Sequence, residues 1–291
     1  MDRDELIKLP RRDSQDRRRR AEVYRGSAVH RHCKGDGMKL GNKVAVITGG
    51  NSGIGLATAR EFVANGAKVA IFGRDRATLD KAAAELGADA LAVQGDVRKL
   101  ADLDRLFAET HRRYGQIDVL VANAGIAKFA PVELLSEPLF DELSGILFKG
   151  VFFTLQRALP HLRDGASVVL IGSADADKQG RMLTSVYLAA KSAVRSLARS
   201  FSVELLSRRI RVNVVSPGMT ETPIITREGG LPGVTPEVIA AAITRTIPLK
   251  RRGRPEEVAK AILFMACDDS SYCLGAELMV DGGFTQLVNP G

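Results

Sequence analysis

Val44-Ala45-Val46-Ile47-Thr48-Gly49-Gly50-Asn51-Ser52-Gly53-Ile54-Gly55 is the stretch on which the architecture turns. Its first five residues are apolar or β-branched throughout, as a strand buried on both faces of a parallel sheet requires. Glycines follow at once, and a helix over Ile54–Asn65 comes next, with Gly66 placed for a C-terminal cap. Glycine tolerates positive φ and lets the backbone approach a ligand closely. A helix N-terminus offers unpaired N–H groups and the positive end of its dipole. Gly49, Asn51, Ser52, Gly53, Ile54 and Gly55 are therefore expected to seat a pyrophosphate. The spacing is G-x-x-x-G-x-G rather than the commoner G-x-G-x-x-G. A tight turn without a ligand is the competing reading, and the strand-turn-helix context weighs against it.

Outward from this unit, apolar runs alternate with helical patterns. Strands are expected at Lys68–Phe72, Ala90–Gln94, Ile117–Ala122, Ser167–Ile171, Ile210–Val215 and Glu277–Val280. Helices are expected from Asp75, as N-cap, to Leu86, over about 99–113, about 138–163 and about 184–207, and over Pro255–Cys267. A stretch at about 217–254, rich in Gly, Pro and Thr, reads as irregular. The alternation predicts an α/β fold: one doubly wound, mostly parallel, seven-stranded sheet with helices on both faces and right-handed crossovers. Ligands of such sheets bind beyond the carboxyl ends of the strands.

Composition narrows the function classes. The chain has 291 residues, 45% hydrophobic and 26% charged, a globular balance. No apolar run approaches the ~18 residues that cross a bilayer. Cys33, Cys267 and Cys273 have no metal-ligand spacing, and three cysteines make no disulfide framework. A cytoplasmic protein with reduced thiols and no metal site is expected. The net charge is +8, and residues 1–37 hold 11 Lys/Arg against 7 Asp/Glu, so half the excess lies in this leader. It contains Arg17-Arg18-Arg19-Arg20, lacks apolar periodicity and has no h-region of a secretory signal. It reads either as a basic arm for an acidic partner or as sequence ahead of a natural start at Met38.

Two further features carry chemistry. At the end of the second strand an acid would hold the free ribose hydroxyls of NAD. The chain has Gly73-Arg74 there, and Asp75 is taken up by helix capping. Arg74 suits a bidentate contact to a 2′-phosphate, which favours NADP(H) over NAD(H). Tyr187 and Lys191 stand at i and i+4, neighbours on one helix face. A phenol of pKa ~10 becomes a useful proton carrier at neutral pH when an ammonium favours its phenolate. Ser173 follows the fifth strand and so reaches the same sheet edge, where its hydroxyl can bond a reacting carbonyl or alcohol.

With Thr48–Gly55, Asp96-Val97, Asn123-Ala124-Gly125, Ser173, Tyr187 with Lys191, Pro217-Gly218 and Asp281-Gly282-Gly283 in this order, residues 38–291 resemble a short-chain dehydrogenase/reductase of the shorter, single-domain subclass. The resemblance implies a Ser173-Tyr187-Lys191 site for reversible carbonyl reduction or alcohol oxidation. It implies that Asp96 and Val97 contact the adenine, that Asn123 and Gly125 line the cofactor cleft, and that Tyr187 and Lys191 reach the nicotinamide ribose. Pro217, Gly218, Thr220 and Thr222 would hold the nicotinamide end. It further implies a small-molecule substrate bound by the stretch after Thr222, and a homotetramer or dimer built on the two long central helices.

Two positions depart from the family pattern. Its relay asparagine is replaced by Leu147, and no asparagine lies between Asn123 and Asn213. Ser173 is 14 residues before Tyr187, one more than the family spacing leads one to expect. Leucine offers no side-chain hydrogen bond. A second reading therefore stands beside the enzyme: a cofactor-binding, catalytically weak sensor or assembly partner. A nucleic-acid binder acting through the arginine leader is the weakest of the three.

Overall fold

The computed structural model describes residues 37–176, 183–224, 241 and 244–287. The leader before Gly37 and much of the expected substrate stretch lie outside the described residues. Among the described residues, seven strands form one sheet in the order β3-β2-β1-β4-β5-β6-β7, with every neighbouring pair parallel. They are β1 (Val44–Thr48), β2 (Lys68–Gly73), β3 (Ala90–Gln94), β4 (Ile117–Ala122), β5 (Leu162–Ile171), β6 (Arg211–Pro217) and β7 (Glu277–Val280). The helices are α1 (Gly53–Ala64), α2 (Arg76–Leu86), α3 (Leu100–Tyr114), α4 (Glu137–Ser144), α5 (Gly150–Ala158), α6 (Ser185–Glu204) and α7 (Pro255–Ala266).

Alternate residues of each strand feed two separate cores. Val46, Leu120, Val168 and Val212 point to one face, where Phe107 of α3, Leu143 of α4, Leu155 of α5 and Val194 of α6 cover them. Ile47, Ile71, Val121 and Val169 point to the other, under Phe62 of α1, Leu79 of α2 and Ile262 of α7. Burial on both faces is what the unbroken apolar run of β1 demands. The chain winds from β1 to β2 and β3 on one side, then crosses back to β4 on the other. The carboxyl ends of β1 and β4 thereby flank the crevice where strand order reverses.

Most element limits agree with the sequence pattern to within a residue or two. The expected helix at about 138–163 is the exception. It is α4, a π-helical turn over Gly145–Lys149, and α5, which stops at Ala158. Pro160 explains the early stop: Leu159 still holds helical angles, φ −49° and ψ −42°, but proline has no N–H with which to continue the ladder. Freed of the helix, the chain enters β5 at Leu162, five residues before the expected start, and Leu162 pairs with Ile117. Arg208 holds this junction by donating to the carbonyls of Leu159 at 2.8 Å and Leu162 at 2.5 Å.

Candidate active site

The turn after β1 is shaped by two glycines with positive φ, Gly49 at 66° and Gly53 at 52°. A Cβ on Gly49 would lie 2.9 Å from Asn123 Nδ2 and 3.0 Å from Ala124 Cα, so the turn is pressed against the segment after β4. Thr48 ties the two together: its Oγ1 accepts from the N–H groups of Asn123 and Ala124, both at 3.0 Å. Asn123 Nδ2 returns bonds to the carbonyls of Thr48 at 3.0 Å and Gly49 at 3.3 Å. At the start of α1, Ser52 makes no side-chain capping bond and the first turn carries no acid. That N-terminus keeps the positive end and N–H groups that suit an anion. The backbone of Gly49 and Gly53 on the cavity wall, together with a helix start that has no side-chain cap, fits a pyrophosphate.

Gly55 has a different task from the one its spacing suggested. A Cβ there would collide with the Gly49 carbonyl and approach Asn123 Nδ2 to 2.6 Å. It packs α1 onto the turn and does not line the cavity. Next along the crevice, the side chain of Asn51 lies across Gly73 and donates from Nδ2 to Thr78 Oγ1 at 2.7 Å. Asp75 caps α2 by accepting from the Thr78 N–H at 2.7 Å. The exposed Arg74 follows Gly73 at the mouth, and its carbonyl accepts from Gln94 Nε2 at 2.9 Å. Asp96 is buried and its carboxylate is gripped by the Arg98 guanidinium at 2.6–3.1 Å and by the Arg98 N–H at 2.9 Å.

One cavity of about 480 Å³ gathers these residues. Its lining includes Gly49, Asn51, Ser52, Gly53, Ile54, Arg74, Asp96, Val97, Asn123 and Gly125 towards one end. Ser173, Tyr187, Lys191, Pro217, Gly218, Thr220 and Thr222 line it as well. Thr222 Cγ2 would touch a Cβ on Gly53 at 3.2 Å, so the segment after β6 closes over the start of α1. Of all the residues expected from sequence, Gly55 alone stands off the cavity wall.

The three expected catalytic groups come from two elements. Ser173 follows β5 and is buried; Tyr187 and Lys191 sit one turn apart on α6. Lys191 Nζ donates to the Ile171 carbonyl at 2.8 Å, and burial lowers its pKa from 10.5 to about 8. Burial pushes the Tyr187 phenol above its ordinary value of 10.0, a bond from Ser173 opposes this, and the Asp175 carboxylate adds to it. The influences on the phenol are thus its burial, Ser173 and Asp175. Leu147 is fully buried in the π-helical turn, lies against Gly125 and lines the cavity with carbon alone.

Several lining residues carried no sequence signal. Phe129 meets Tyr187 edge-on with ring centroids 6.1 Å apart. Ile126, Leu183, Met219 and Phe284 also contribute and, with Ile224 and Ile247 from the expected substrate stretch, make much of the wall apolar. Phe284 adjoined a recognised motif: Asp281 accepts from the N–H groups of Gly283 at 2.9 Å and Thr285 at 2.8 Å, and the resulting turn presents the ring between them. Among the described residues, no cluster of His, Cys, Asp or Glu could hold a metal ion, and no helix is long and apolar enough to cross a membrane.

Comparison with known proteins agrees with this geometry. A family profile described as enoyl-(acyl carrier protein) reductase matches residues 49–285. The oxidoreductase asL5 of Sarocladium schorii is 41% identical over 252 residues, 86% of this chain and 98% of that protein. The hydroxynaphthalene reductase-like protein Arp2 of Metarhizium acridum is 32% identical, over 84% of this chain and 95% of its own length. Among solved structures, a 3-ketoacyl-(acyl-carrier-protein) reductase from Brucella melitensis, complexed with NADH, superposes with a TM-score of 0.77 at 33% identity, covering 84% of this chain and 99% of that one. These relatives are named as oxidoreductases and reductases, which leaves the weak-sensor reading unfavoured. A parallel sheet with its crevice at the β1–β4 switch, an ordered set of motifs around it and relatives that span the whole domain lead to one conclusion: the chain is an enzyme and belongs to the short-chain dehydrogenase/reductase family.

Proposed function

We propose that the enzyme is an NADP(H)-dependent reductase that interconverts a ketone and a secondary alcohol on an apolar substrate. The carrying observation is the single cavity that joins the glycine turn of β1–α1 to Ser173, Tyr187 and Lys191. The nicotinamide cofactor supplies or accepts the hydride when bound. The turn and the uncapped start of α1 hold its pyrophosphate, and Arg74 reads the 2′-phosphate. Asp75 is committed to the cap of α2, which supports the phosphorylated cofactor over NAD(H). The Brucella melitensis neighbour is complexed with NADH, so the test compares both forms.

In this reading Ser173 donates a hydrogen bond to the carbonyl oxygen and Tyr187 delivers the proton to that same oxygen. Lys191, held by the Ile171 carbonyl, would bind the ribose of the nicotinamide cofactor. The apolar wall of Ile126, Phe129, Leu183, Ile224 and Phe284 excludes water and suits a ring-bearing ketone. The name of the hydroxynaphthalene reductase-like relative supports that substrate class. The proposal carries with it a cytoplasmic homo-oligomer.

The test is a panel of aromatic and aliphatic ketones assayed with NADPH and NADH at equal concentration. Turnover of ring-bearing ketones with NADPH in clear preference supports the reading. A clear NADH preference overturns the role of Arg74. Tight NADPH binding with no oxidation across the panel overturns the reductase itself and restores the sensor.

A further inference from the structure

We propose that Glu277 is a positioning residue: with Arg195 and Ser216 it clamps the ends of β5 and β6 to α6, and so sets the geometry of the catalytic groups. The proposal rests on the reductase reading of the site. Glu277 opens β7 and pairs in register with Val214. Its Oε2 accepts from Arg195 Nε at 2.5 Å and its Oε1 accepts from Ser216 Oγ at 2.5 Å. The carboxylate and guanidinium side chains are only 16% and 20% exposed, and Ser216 is completely buried. A carboxylate so withdrawn from water is held in place by the groups that compensate its charge. One side chain thus joins three elements.

Each junction leads to a catalytic group. Ser216 lies directly against Gly172, where a Cβ would collide with its hydroxyl and approach Val214 Cγ1 to 2.9 Å. Gly172 immediately precedes Ser173, and its N–H donates to the Val215 carbonyl at 2.9 Å. With no side chain of its own, this strand end takes its position from what packs on it. On the other flank Ser216 precedes Pro217, and the Gly218 N–H donates to Val280 O at 2.9 Å, on the strand that Glu277 begins. Arg195 stands one helical turn after Lys191 on α6, so the same carboxylate anchors the helix that carries Tyr187 and Lys191. Ser173, the Pro217-Gly218 turn and the Tyr187-Lys191 pair therefore share one support. None of the three clamp residues lines the cavity.

Ser216→Ala removes one bond with little change of volume, and Glu277→Gln keeps the shape while removing the charge. Since displacements near 1 Å cost on the order of 10²-fold in rate, each variant is expected to lower kcat about tenfold or more. The ketone KM and the NADPH dissociation constant, read from cofactor fluorescence, should change less than kcat, because the clamp touches neither ligand and reaches them only through Ser173, the Pro217-Gly218 turn and Lys191. The double variant should be no slower than the slower single variant, as expected for residues acting as one unit. In the protein without ligands, hydrogen exchange over residues 171–175 and 216–219 should quicken in both variants. A lowered thermal midpoint with kcat unchanged, additive losses in the double variant, or unaltered exchange would each overturn the clamp. A parent enzyme that oxidises no NADPH would instead overturn the functional reading, and the exchange measurement would still decide whether the clamp exists.

Discussion

Tyr187 and Lys191 illustrate how far a residue pair can be read before its surroundings are known. Their spacing on one helix face was legible, because four residues make about one turn. Their protonation was not, since burial and partners come from distant segments. Lys191 faces the Ile171 carbonyl with a pKa near 8, and Tyr187 stays protonated beyond its usual 10.0. Tyr187 is thus the acid throughout the working range, and the charge lost first as pH rises is that of Lys191. Ketone reduction should hold its kcat/KM up to about pH 8 and decline above it as Lys191 deprotonates. Lys191→Arg, whose guanidinium keeps its charge, should move the decline to higher pH. A decline at the same pH in that variant would assign it to another group. Tyr187→Phe should lower kcat by roughly 10²–10⁴-fold, the usual worth of a positioned proton donor, with NADPH binding retained. Phe129 and Phe284 were not legible at this scale, since an aromatic residue in a loop has the same signature whether it faces a cavity or a core.

The starts of α1 and α2 show the same division between elements. Both were expected from their glycine and aspartate signals, and both formed there. They then diverge: α2 satisfies its own N-terminus through Asp75 and Thr78, while α1 has no side-chain cap and keeps its N–H end for an anion. Asp75→Ala should therefore cost about 1 kcal/mol of stability, the usual worth of an N-cap, readable as a lower urea midpoint. Its kcat at saturating NADPH should remain that of the parent; a fall in kcat would mean that Asp75 serves the cofactor rather than the helix. The long helix expected at about 138–163 is divided in the structure for a local reason. Its apolar period runs on through Leu159, but Pro160 ends it, and the π-helical turn at Gly145–Lys149 shifts the phase of what precedes. Periodicity measures which face is apolar, and says little about where the backbone must stop.

For the whole molecule, the relevant quantity is the coupling of one cavity to one fold. A ligand that binds only the native state stabilises it by about 2.7 kcal/mol at a hundredfold excess over its dissociation constant. For a domain of this size that corresponds to a rise in thermal midpoint of roughly 2–4 °C per kcal/mol. NADPH should therefore raise the midpoint more than NADH at equal concentration, and Arg74→Ala should narrow the difference. Equal shifts from the two cofactors would remove Arg74 from ribose recognition.

The sequence by itself determined the scaffold: strands apolar enough to be buried twice over, the helices between them and the glycine turn. These are local patterns, set by side-chain period, glycine conformational freedom and capping chemistry, and they survive without knowledge of neighbours. Tertiary structure decided what those residues face. It removed Gly55 from the cavity by pressing it on Gly49, and turned Lys191 toward the Ile171 carbonyl. It also brought Glu277, Arg195 and Ser216 together from positions up to 82 residues apart. Such contacts depend on strand order and register, which are fixed only when the two cores close on opposite faces of the sheet.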